Sequence, residues 1–182
     1  MKIALDGGAQ QEMRDAYYDG APGVLVSGLV WATSAVMCYT HSVERGVWTL
    51  LIGGVLISPV AGLVSRALGR SASPPGQNPL TALAGATTVW LIVCCAMAFG
   101  LSLQNPTWFF PAMMAVIGSR YMVFATVYNR AAYWALGALL VVAGVGALGL
   151  RLQPYESAAL GSLMEIVFAV AIFRSAGKRV AI

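Results

Sequence analysis

Two charged residues, Arg120 and Glu165, lie deep inside apolar runs where neither can be solvated cheaply. A charge in hydrocarbon is costly, so such groups face protein or water and find a partner. Arg120 lies thirteen residues beyond Thr107, roughly 20 Å along a helix, and Glu165 nine beyond Glu156, roughly 14 Å. Opposite signs at similar depth predict one buried polar centre made by Arg120 and Glu165. Tyr121, Thr87 and Thr88 would add hydrogen bonds, and Ser58 precedes a mid-run Pro59 that should kink a helix or free a carbonyl. Glu165 shares a helical face with Ala158, Gly161, Ser162 and Ala169, the small residues that let helices approach closely. Three kinds of chemistry fit: a structural ion pair, an arginine snorkelling to the boundary, or a carboxylate coupled to a proton or substrate.

Enzyme chemistry is disfavoured. His41 is the single histidine and has no carboxylate cluster near it. No HExxH and no nucleophile paired with a base occurs, so no catalytic residue is assigned. Cys38, Cys94 and Cys95 lie in apolar stretches without metal-ligand spacing, and read as small packing residues. Neither a metal nor a cofactor is expected.

The elements that must position Arg120 and Glu165 follow from composition. Of 182 residues, 59% are hydrophobic and 10% charged, with a mean hydropathy of +0.76. Soluble proteins carry about 45–50% apolar and about 25% charged residues. Six runs reach the length of about twenty residues that a helix needs to cross a bilayer. They cover about 21–40, 46–65, 80–102, 107–127, 132–150 and 156–173. The runs are continuous rather than alternating, which selects helices over a β-barrel. The expected fold is therefore an all-α bundle of six transmembrane helices occupying residues 20–174. Residues 1–19 form an N-terminal segment, and residues 175–182 a basic tail. Within the N-terminal segment, Gln10 to Tyr18 suits a short helix at the membrane boundary, acting as an anchor or as a gate.

Charge sets the expected orientation. Lys2, Arg14, Arg66, Arg70, Arg130, Arg174, Lys178 and Arg179 fall on the side of the termini, and only Arg45 and Arg151 on the other. By the positive-inside rule both termini are cytoplasmic. The net charge of +4 thus reports orientation, and nucleic acid is not an expected partner. Boundary aromatics fit the same frame: Tyr17, Tyr18, Tyr128 and Trp134 inside, and Tyr39, Trp48, Trp108 and Tyr155 outside.

The two halves can be laid against each other, three spans on three. Pro22 matches Pro111, Trp48 matches Trp134, and Ala82-Leu83-Ala84-Gly85 matches Ala158-Ala159-Leu160-Gly161. Three spans are an odd number, so such a repeat would be inverted in the membrane, as in many secondary transporters.

Several stretches also resemble a family of small uncharacterised bacterial six-span inner-membrane proteins. They are Gly20 to Trp31, Asn78-Pro79-Leu80, Trp108-Phe109-Phe110-Pro111, and Gly118 to Tyr128 with Arg120 and Tyr121. The resemblance implies a bacterial inner membrane and brings no established activity. Members of that family bear a carboxylate in the third span, where this chain reads Ala86-Thr87-Thr88-Val89, which weakens a carboxylate-pair mechanism.

The sequence therefore supports a small transporter or permease-like protein centred on Arg120 and Glu165. The main alternative is a non-transporting scaffold or accessory subunit in which that pair only fixes packing. The expected partners are the lipid bilayer, a small-molecule or ion substrate, and a further copy of the chain in a homo-oligomer.

Overall fold

The computed structural model describes residues 7–74, 76 and 78–180; Lys2, the rest of residues 1–6, Pro75, Gln77 and the last two residues of the basic tail lie outside them. The described chain is helical: α1 (Gly7–Tyr17), α2 (Ala21–Thr40), α3 (Val43–Ala67), α4 (Pro79–Gln104), α5 (Phe109–Tyr128), α6 (Ala131–Gly149) and α7 (Pro154–Val180). Among the described residues, six helices are long and apolar enough to cross a membrane. Their ends follow local chemistry. Ser42 caps α3 by accepting from the Arg45 amide, and Asn78 caps α4 by accepting from Leu80. Asn129, with φ of +47°, ends α5 in the left-handed conformation that asparagine tolerates. Helix α3 runs through Pro59, and α7 continues past the expected end at residue 173 into the basic tail.

Helix pairing is uneven. Helix α2 packs along α3 and α7, α5 packs along α6, and α4 leans on α5. The α5–α6 contact is made close by Gly118 and Gly137, where an added Cβ on either would meet the other's carbonyl oxygen. Helices α3 and α4 turn most of their apolar surface outward, with Trp90 62% exposed, as suits faces that meet lipid. The core lies among α2, α5, α6 and α7, around Trp31, Phe110, Met114, Tyr133 and Leu136.

Helix α1 is a packed strap across one end of this bundle. Its Gln10 donates to the Thr126 carbonyl at 2.8 Å and Arg14 to the Tyr128 carbonyl at 3.2 Å. These are carbonyls in the last turn of α5, which have no partner within the helix. Asn78 donates to the Ala9 carbonyl and to Glu12 from the α4 end. Three successive residues with positive φ, Tyr18 (52°), Asp19 (57°) and Gly20 (79°), turn the strap into α2.

Candidate functional site

The expected single polar centre is two separate arrangements on different faces of α5. Residues 114, 118, 121, 125 and 128 form the buried stripe of this helix, at helical spacing. Tyr121 lies on that stripe and Arg120 beside it. The Arg120 guanidinium turns to α4, where it donates to Thr88 Oγ1 at 2.9 Å and lies 5.0 Å from the Phe124 ring centroid. Thr88 and Thr87 both donate to the Ala84 carbonyl, so Thr87 adds nothing to the guanidinium. Ser58 is exposed on α3, away from either arrangement. The expected contact between Arg120 and Glu165 is therefore corrected: equal depth along a helix axis does not place two side chains at the same angle around it.

Glu165 is fully buried on α7, with 0% of its surface exposed. Its Oε1 accepts from the Tyr121 hydroxyl at 3.1 Å. The buried Ser27 of α2 neighbours both groups, while Oε2 has no hydrogen-bond partner. The packing that holds the carboxyl is tight. Ser162 donates to the Gly28 carbonyl at 2.8 Å, a Cβ on Gly28 would lie 3.3 Å from that of Glu165, and Trp31 covers Gly161 one turn away. The Trp31 indole N–H is likewise buried without a partner.

Aromatic rings extend from this carboxyl in both directions. Toward the α1 end come Tyr121, Phe124, Tyr133 and Tyr128, with successive centroids 5.4 to 6.3 Å apart. Toward the other end, Trp31 meets Phe110 at 6.0 Å, and Phe110 meets Phe109 at 5.1 Å. Tyr128, expected as a boundary ring, is in fact buried and stacked on Tyr133. At the α1 end of the series Tyr133 donates to the Asp19 carbonyl at 2.7 Å, and the buried Asp19 carboxylate is paired with Arg130 at 2.5 Å.

Ser27, Trp31, Tyr133, Asp19 and Arg130 were not among the expected site residues. A signal for part of this existed in the Gly118, Tyr121, Ala125, Tyr128 spacing, which marks the packed face of α5 and excludes Arg120 from it. No group of three or more His, Cys, Asp or Glu side chains suited to a metal occurs among the described residues.

Among the described residues, six helices long and apolar enough to cross a membrane define a multi-pass membrane protein. The chain belongs to DUF7010, a family of unknown function that it matches over residues 8–175. Neither a curated protein nor a solved structure matches it.

Proposed function

We propose that the protein is a small proton-coupled permease of a bacterial inner membrane, with both termini cytoplasmic and Glu165 as its coupling carboxyl. The observation that carries this reading is a fully buried Glu165 without a cationic partner, bonded by Tyr121 and leaving one oxygen unused. An uncompensated carboxylate in a dry site is so costly that the group holds a proton instead. Such a group gives up its proton only when water or a cation reaches it, which is the behaviour a coupling site needs.

The placement of Glu165 also supports the reading. It lies where α2, α5 and α7 meet, and α2 and α5 are the first helices of the two matched halves. In each half the first helix packs on the second, and the third helix packs on the first of the other half. Aligning Pro22 with Pro111 sets Trp31 against Arg120, and aligning Gly85 with Gly161 sets Thr88 against Met164. Trp31 meets α7 at Gly161, and Arg120 meets α4 at Thr88, one turn from the matching glycine. Likewise Val30 packs on Gly53 across α2–α3, and Gly118 on Gly137 across α5–α6. The alignment carries that second pair to Leu29 and Leu51, within two residues of the first. We infer an inverted repeat, with the binding centre between its halves.

The test is proton movement in proteoliposomes holding a pH-sensitive dye and an imposed pH difference. Glucose, glycine, succinate, benzenesulfonate and benzyltrimethylammonium are added in turn. At least one should move protons through the wild type and none through Glu165→Gln, which folds as the protonated carboxyl's isostere. If none moves protons through the wild type beyond protein-free vesicles, the permease reading fails. The scaffold reading, with Glu165 fixing α7 in place, then replaces it.

A further inference from the structure

We propose that the solute held at Glu165 is a monovalent organic ammonium ion, taken up in exchange for the carboxyl proton; this rests on the permease reading and names its substrate class. The argument is what surrounds Glu165 in the packed core. Seven rings, from Tyr128 and Tyr133 through Phe124 and Tyr121 to Trp31, Phe110 and Phe109, flank Glu165 on both sides. Ring faces attract cations, and an ammonium ion with apolar substituents gains from both the ring quadrupoles and the burial. A carboxylate at the middle of such a series supplies the counter-charge.

Other solute classes fit the lining less well. An anion needs cationic or N–H donors, but Arg120 is turned to α4 and Arg130 is held by Asp19. Trp31 Nε1 is the unused donor one turn from Glu165, while the unused Nε atoms of Arg120 and Arg130 lie on the α4 side of α5 and at the α1 end. A sugar needs many free donors and acceptors, and the hydroxyls of Tyr121 and Tyr133 are already bonded to Glu165 and Asp19. A metal cation takes six or more oxygens if it is calcium, and near-octahedral oxygen geometry if it is magnesium. The side-chain oxygens that meet the Glu165 carboxyl are the hydroxyls of Ser27 and Tyr121, fewer than either cation takes.

The groups facing Glu165 leave its proton as the exchangeable one. Helix α2 presents Ser27, α5 presents Tyr121, and α6 reaches the site only through Tyr133 stacked on Tyr121. In the exchange the O–H bond of Glu165 breaks, the proton leaves to water, and the carboxylate pairs with the ammonium ion. On the other side of the membrane the ion leaves and a proton returns. One positive charge moves each way, so the cycle is electroneutral. The closed packing described above corresponds to the proton-loaded state.

Benzyltrimethylammonium is the probe, because it cannot carry a proton across a bilayer by itself. Binding to the detergent-solubilised full chain should release about one proton per cation bound. Affinity should fall about tenfold for each unit of pH decrease while the carboxyl is protonated. Glu165→Gln should lose binding at every pH while melting like the wild type. Trp31→Leu should weaken binding about tenfold and keep the proton release. Undiminished binding by Glu165→Gln, or benzenesulfonate binding as well as the cation, overturns the proposal. If another solute drives protons through the vesicles but benzyltrimethylammonium does not bind, the substrate class falls and the permease reading stands. If the cation binds with proton release yet never crosses the vesicle membrane, the class stands and the permease reading falls.

Discussion

Asp19 and Arg130, 111 residues apart in the chain, form a 2.5 Å ion pair in which the carboxylate is 3% exposed and the guanidinium 23%. The pair ties the turn before α2 to the turn before α6, at the end of the bundle crossed by α1. Replacing Arg130 by Ala leaves a buried carboxylate without its cation. That should destabilise the protein by about 3 kcal/mol in detergent melting, with Asp19→Asn/Arg130→Gln recovering much of the loss. Equal melting of the single and double variants would mean that the pair contributes no coupling.

Gly20 has φ of +79°, and a Cβ there would run into the Tyr133 hydroxyl and the Tyr128 ring. Gly20→Ala should therefore cost about 2–4 kcal/mol, combining left-handed strain with displacement of the Tyr133 bond to Asp19. Gly54, helical and with open space around its Cβ position, is the control, and its alanine variant should melt no lower than the wild type.

Tyr121→Phe removes the hydroxyl that Glu165 Oε1 accepts from, while the ring stays against Tyr133 and Phe124. The expected loss is about 1–2 kcal/mol. In the Arg120→Gln variant, by contrast, proton movement through vesicles should stay near the wild-type level, since that side chain faces Thr88. A loss as large as in Glu165→Gln would put Arg120 back into the coupling site.

The Lys/Arg asymmetry predicts that both ends of the chain face the cytoplasm. Reporter fusions at Met1 and Ile182, both outside the described residues, check it directly. Signals from opposite sides, or from the outer side at both ends, contradict it.

The spans were legible because each apolar run stops at a strong local signal: Glu44-Arg45, Asn78-Pro79, Asn105-Pro106 and Asn129-Arg130 each lie within three residues of a helix end. Depth was legible for the same reason, since a helix converts residue count into distance. Angle around the axis was not. Arg120 and Tyr121 are neighbours in sequence but about 100° apart around α5, enough to send one to α4 and the other to α7. The turn at Tyr18 was also hidden, because tyrosine gives no sign of a left-handed φ; only Asp19-Gly20 beside it favours such a conformation.

The pairing of α2 with α7 joins the first membrane-crossing helix to the last. During synthesis, the face of α2 that carries Ser27, Gly28 and Trp31 emerges before its partner exists, and it stays uncovered while four more helices are made. The Gly28 carbonyl receives its Ser162 hydroxyl, and Trp31 its seat on Gly161, only once α7 has been made. Closure of the core thus waits for the last of the six crossings. A chain that ends early leaves indole and hydroxyl groups facing lipid, the kind of surface that membrane quality-control proteases can recognise.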